Sequence, residues 1–377
     1  MLDLIGNFFG AMAEQTGLLH LWWGNIVMMV VGAAMIYLGV AKRYEPLLLI
    51  GIGFACIVSN VPDSVLIQPG GLFNYAYKGV GALILPPLVF FGVGAMTDFG
   101  PMIANPKLVL LGAAAHLGIF VALIGAKAIG FSINEAGAIG IIGGADGPMA
   151  IFMSVKLAPQ LLPQISVAAY SYMALMPLIQ PPVMRLLTTR EERLIEMRQM
   201  RQVSRLEKMV FPVVIAIVVN LLLPPVAPLI TMLALGNLFK EVLVVDRLAK
   251  TAANEVMNVT IITLTLAIGS TMEANHFLTF KTIEVLVLGL IAFMVGTGSG
   301  VVGAKIMNLF LREKINPLLG SAGIASVPIA ARVAHIVALE ENPQNFLIYH
   351  AMGPNLAGVF GTAISGGIML ALLVPVT

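Results

Sequence analysis

One carboxylate stands inside the run AGAIGIIGGADGPMAIF, residues 136–152: Asp146, surrounded by five glycines and a proline. An ionisable group in an apolar segment costs roughly 2.5–3.5 kcal/mol on insertion scales and marks a functional position by default. Glycines on both sides free backbone carbonyls that can share a cation with the carboxylate. Hard cations such as sodium take carboxylate, amide, hydroxyl and carbonyl oxygens. The plainer role is an aspartate capping a half-helix, and one side chain can do both.

Two further clusters carry chemistry. Tyr170 and Tyr172 lie in the charge-free AAYSYMALMPLIQPP, where Ser171, Gln180 and the paired prolines favour a polar, kinked interior over a simple interface anchor. NPLLGSAGIASVPIAAR, residues 316–332, offers Gly320, Ser321, Gly323 and Ser326, small enough for close backbone approach. It ends on Arg332, which either snorkels to the interface or grips a substrate carboxylate through its two-pronged guanidinium.

The elements that position these groups are membrane helices. Of 377 residues, 59% are apolar and 11% charged, with mean hydropathy +0.96, against roughly 25% charged in soluble domains. Charge-free stretches fall at 15–41, 46–62, 79–97, 108–126, 157–184, 209–239, 256–272, 285–304, 315–331 and 342–377. With about 20 residues per crossing, this predicts an all-α polytopic membrane protein of about ten or eleven hydrophobic segments, some broken or re-entrant. The run 209–239 is long enough to turn back at Pro224, Pro225 and Pro228. No alternating strands suggest a β-barrel. The single cysteine, Cys56, reads as inert core. The N-terminus lacks a basic region, so no cleaved signal peptide is expected.

Residues 185–208 hold seven of the 21 Lys and Arg, which predicts a cytoplasmic loop between halves 1–184 and 209–377. A solvated linker helix is the plain reading of that loop, and a docking surface for a cytoplasmic partner the sharper one. Lys42 and Arg43 put the end of the first span on the same side. One segment before residue 185 then fails to cross, and the stretch around Asp146 is the candidate. The halves echo each other. Asn105-Pro106 precedes Asp146-Gly147-Pro148, and Asn316-Pro317 precedes Gly353-Pro354-Asn355, at similar separations. Two inverted repeats with broken helices meeting at the midplane are the build of ion-coupled transporters.

The five histidines, at 20, 116, 276, 335 and 350, have no metal-ligand spacing. There is no Walker loop, no GxSxG elbow and no carrier lysine of the Met-Lys-Met type. Near-zero net charge (+2) and the lack of a long basic run give no sign of nucleic-acid binding. A stand-alone sodium–solute symporter of elevator type accounts for the same features.

GGADGPMAIF, AAYSYMALMPLIQPPVMRLLTT, NPLLGSAGIASVPIAARVA and HAMGPNLAGV closely resemble the β subunit of the bacterial sodium-pumping, biotin-dependent decarboxylases, over roughly residues 20–377. That group includes the oxaloacetate, methylmalonyl-CoA and glutaconyl-CoA enzymes. The resemblance implies a multi-pass subunit of the bacterial inner membrane. It would decarboxylate carboxybiotin on a carrier subunit and export sodium. A cytoplasmic carboxyltransferase and a small single-span subunit are the other implied partners, and a homo-oligomer is compatible with it. Biotin would be attached to the partner, not to this chain.

Motif by motif, the resemblance puts sodium on Asp146, Asn316 and Asn355, with Gly320 and Ser326 beside them. The catalytic residues it implies are Asp146, Tyr172 and Arg332, with Tyr170 and Arg332 on the substrate. Where the family reads GVSAVP this chain reads GIASVP, so Ala325 takes the serine position. Ser326 follows, about 100° further round a helix. A whole-domain, elevator-like movement is the analogy for coupling. The chain is shorter than oxaloacetate-type relatives, which favours the acyl-CoA types.

Overall fold

The computed structural model describes residues 16–374. The start of the chain, on which the signal-peptide expectation rests, and the last three residues of the run 342–377 lie outside the described residues. Every regular element among the described residues is helical, and no strand occurs there. Five helices are long and apolar enough to cross a membrane: Trp23–Ala41, Pro106–Ala128, Asp246–Ser270, Phe280–Phe310 and Ile348–Leu373, or up to seven if each bent pair counts as one span. The other charge-free runs are shorter or broken, as the sequence suggests.

The chain forms two compact units, Met1–Ala82 with Ile261–Ile283, and Leu83–Thr260 with Glu284–Thr377. Each draws on both sequence halves. In the first, Trp23–Ala41 packs on Pro46–Ser59. Cys56 is wholly buried there, and its thiol donates to Met28 O at 3.3 Å, so it is core. Asn60 donates to Cys56 O and Met272 O, both at 2.8 Å, and accepts from Ala274 N at 2.9 Å, which ties the late insertion to the early helices.

The second unit holds every candidate site residue. Its helix Arg205–Leu222 turns back through Pro224 and Pro225 into Ala227–Val242, because prolines can open the second helix but not continue the first. Pro159–Ala174 and Met176–Leu187 meet at a 67° bend. Around Asp146, Ile133–Gly140 and Gly147–Leu157 are each too short to span, with a 3-10 turn, Ile141–Gly144, between them. The run 315–331 departs from the expected membrane segment. It holds one turn, Leu318–Ser321, then non-helical backbone to Pro328 before Ile329–Glu341 begins. Such backbone survives at depth only when enclosed by protein, and residues 136–154 and 315–326 are buried without exception.

Residues 185–208 do not form the expected linker helix. A four-residue turn, Arg190–Arg193, gives way to a strap without regular secondary structure that ends where Ser204 caps the next helix. The composition suits a helix, but side chains of the unit take the strap's backbone groups instead, and tertiary contacts override propensity. All seven basic residues have partners within the unit. Arg185 pairs with Glu340, Arg190 and Arg193 with Glu341, Arg198 with Glu313 and Arg201 with Glu207, while Arg205 donates to Val242 O. Lys208 pairs with Asp98 at 2.8 Å. Burial pulls Asp98 upward, but the hydrogen bond and charge of Lys208 outweigh it and hold the carboxyl below its ordinary value.

Candidate functional site

The break at 141–146 is built by glycine and by one strained residue. Gly143 and Gly144 tighten the helix into a 3-10 turn, and Ala145 then takes a left-handed conformation, φ 51°. That turn delivers Asp146 to the N-cap of Gly147–Leu157, where Oδ1 accepts from Met149 N at 3.0 Å. A cap of this kind contributes about 1 kcal/mol. It uses one carboxylate oxygen, and among the described residues nothing donates to Oδ2. Asp146 is 4% exposed and has no cationic partner there. Capping and cation binding are therefore compatible in one side chain.

Gly147 is required by Tyr170. A Cβ at 147 would lie 2.5 Å from Cζ of the tyrosine ring, so the helix start packs flat on that ring. The Tyr170 hydroxyl is buried without a hydrogen-bond partner among the described residues, as are Asn355 Oδ1 and Gln180 Oε1. Buried oxygens are rarely left so, and each asks for water or an ion. Tyr172 points elsewhere, since two helical residues are about 200° apart. Its hydroxyl donates to Leu286 O, and its ring packs beside Gly289.

Asn355 faces the second break. The helix Ile348–Leu373 runs unbroken through Gly353-Pro354, so the expected interruption there is absent. The non-helical backbone lies instead at 322–328, and Asn355 reads it directly. Its Nδ2 donates to Ala322 O at 2.9 Å and Ile324 O at 2.7 Å. The two breaks also meet. Ala325 N donates to Gly144 O at 2.9 Å. Hydrogen bonds thus run from Asn355 through the 322–325 loop to the turn that presents Asp146.

The remaining predicted residues make other contacts. Ser326 is fully buried and its hydroxyl meets Met176 Sδ at 3.1 Å. Gly320 touches the long helix back to back: a Cβ there would lie 1.9 Å from Gly300 O, so its role is close packing. Arg332, in the first turn of Ile329–Glu341, is exposed and has no ion-pair partner among the described residues. Asn316 is not brought to Asp146 by any contact. Its Nδ2 donates to Arg193 O and Ile195 O, both at 2.9 Å, and its Oδ1 accepts from Leu318 N at 3.0 Å, which occupies the amide with the strap and the next turn.

Three residues escaped the sequence reading. Asn345 shares the strap carbonyls with Asn316, at 3.2 Å each. His116 interrupts Pro106–Ala128, its Nε2 lying 3.0 Å from Gly358 O and 2.8 Å from Thr362 Oγ1. Thr362 in turn lies against Gly144. A histidine in the charge-free run 108–126 is the sequence signal for this contact, and metal-ligand spacing does not reveal it.

A family model described as the beta subunit of Na+-transporting oxaloacetate decarboxylase matches residues 24–373. The chain is 54% identical to the glutaconyl-CoA decarboxylase subunit beta of Acidaminococcus fermentans and 53% identical to the methylmalonyl-CoA decarboxylase subunit beta of Veillonella parvula, each over 96% of both chains. It is 46% identical to the probable oxaloacetate decarboxylase beta chain of Vibrio cholerae, over 96% of this chain and 98% of that one. Similarity of this extent to decarboxylase subunits rules out the stand-alone symporter. A carboxylate on broken helices in a multi-pass bacterial inner-membrane chain is thus part of a multi-subunit, sodium-transporting decarboxylase, and the protein belongs to the family of its beta subunits.

Proposed function

We propose that this chain decarboxylates carboxybiotin presented by a carrier subunit and uses the release of CO2 to export sodium through a site at Asp146. The carrying observation is the buried Asp146 carboxylate, whose Oδ2 is unbonded among the described residues, next to a break braced by Ala325. Asp146 and Asn355 Oδ1 supply the side-chain oxygens, with carbonyls freed by the 141–146 and 322–328 backbones. Gly320, Ser326 and Asn316 shape the surrounding backbone. Arg332, exposed and unpaired among the described residues, holds the substrate carboxylate through paired N–H donors. The C–N bond of carboxybiotin breaks, CO2 leaves, and the ureido nitrogen takes a proton. Tyr170 is the better-placed relay, because the Tyr172 hydroxyl is bonded to Leu286 O.

The partners in this reading are a biotin carrier, a cytoplasmic carboxyltransferase and a small single-span subunit. The basic strap lies on the cytoplasmic side. The complex acts on an acyl-CoA, in keeping with 54% and 53% identity to acyl-CoA decarboxylase subunits against 46% to an oxaloacetate type. The test is the purified protein in liposomes with a carboxylated biotin carrier. Sodium-dependent loss of CO2 is expected, and CO2 release that ignores sodium would refute the coupling.

A further inference from the structure

The strap carbonyls of Arg193 and Ile195 are gripped twice. Asn316 Nδ2 donates to both at 2.9 Å, and Asn345 Nδ2 donates to both at 3.2 Å. An amide NH2 has two hydrogens and a carbonyl two lone pairs, so four bonds saturate both donors and both acceptors. Both asparagines are buried, at 0% and 2% exposure. Asn316 opens the segment that forms Leu318–Ser321 and the 322–328 loop, and Asn345 opens the approach to Ile348–Leu373. The same two segments meet again about 10 Å deeper, some seven helical residues on, where Asn355 donates to Ala322 O and Ile324 O.

We infer that Asn345 and Asn316 are positioning residues for the ion site: through the strap carbonyls they set the register of the helix bearing Asn355 against the loop whose carbonyls aim it. This rests on the sodium site proposed at Asp146 and Asn355. It gives the strap 193–198 a role in ion affinity, and it makes Asn345 functional although it coordinates nothing. His350 Nε2, 2.8 Å from Arg198 O, and Asn342 Nδ2, 2.9 Å from Glu196 Oε1, hold the following residues of the strap in line.

The experiment uses the assembled decarboxylase complex in proteoliposomes, with Asn345→Ala, Asn316→Ala and the double variant. Half-saturating sodium and the rate at saturating sodium are measured separately, together with hydrogen exchange of residues 194–203. Losing a pair of hydrogen bonds at about 1 kcal/mol in sum raises half-saturating sodium roughly fivefold. The saturated rate stays within about twofold, and strap exchange quickens. The double variant is worse than either single one, since each single variant leaves both carbonyls held by the other asparagine. The inference is overturned if Asn345→Ala leaves half-saturating sodium unchanged while strap exchange quickens. It is equally overturned if Asn316→Ala weakens sodium with strap exchange unchanged, which would make Asn316 a direct ligand. Should Asn345→Ala fail to assemble, Asn345→Ser, which keeps a hydroxyl donor, is read by the same outcomes. Failure of the sodium site itself registers differently, as normal sodium activation in Asp146→Asn.

Discussion

Ala325 donates its backbone N–H to the carbonyl of Gly144 at 2.9 Å, joining two unwound stretches that lie far apart in the chain. Both are buried, so the bond satisfies groups that water cannot reach. Ala325→Pro removes the donor and leaves a buried carbonyl unmet, at a cost of about 1–3 kcal/mol. Thermal unfolding in detergent should move down accordingly. Ala325→Ser, which restores the hydroxyl expected at this position, keeps the N–H and should unfold near the parent temperature. Equal destabilisation by both would mean that side-chain volume, not the backbone bond, matters there.

Asp146→Asn keeps the shape and one oxygen ligand but loses the charge. The variant should fold and insert, because an asparagine still caps Gly147–Leu157. Sodium-coupled decarboxylation should be abolished at any accessible salt concentration. If sodium binds this carboxylate it must displace a proton there, so apparent sodium affinity should weaken as pH falls. Sodium activation curves from about pH 5.5 to 8.5 bracket the range of perturbed carboxyls. Near-normal activation in Asp146→Asn would sink the site and leave the residue a helix cap.

Gly147→Ala places a methyl 2.5 Å from the Tyr170 ring, and the ring must move. Overpacking of this kind costs about 1–3 kcal/mol. Tyr170→Ala removes that clash at the expense of a cavity, so the double variant should be less destabilised than the sum of the two single ones, and turnover should stay low if the Tyr170 hydroxyl relays a proton. A double-mutant cycle in unfolding and in rate separates the two effects. Additive stability changes would show that the ring and the glycine do not interact.

Arg332→Lys keeps the positive charge and loses the fork that fits a carboxylate. Affinity for the carboxylated carrier should fall roughly tenfold or more, the loss of about one charge-assisted hydrogen bond. Protection by sodium against heat or protease should be unchanged. Lost sodium protection with normal carrier affinity would move Arg332 to the ion site.

Much of this protein follows from sequence alone. Charge-free runs set a helical membrane fold, because lipid leaves the backbone no other way to satisfy itself than helix or closed barrel. Asp146 among glycines announced both a break and a reason for it, and Pro224-Pro225 announced a turn. Each of these is a local signal, carried by neighbours in the chain. What tertiary structure decided lies between distant residues. The second break falls at 322–328 and not at Gly353-Pro354, since a proline costs one helical bond that surrounding packing offsets, whereas the loop gains Asn355 and Gly144 as partners. Residues 194–204 have a helix-forming composition yet form no helix, because Asn316 and Asn345 capture carbonyls a helix would have used. Tyr170 and Tyr172 look equivalent in sequence, but one side chain meets Gly147 and the other Leu286. Which oxygens stay free to meet an ion is settled only when every other partner has been assigned.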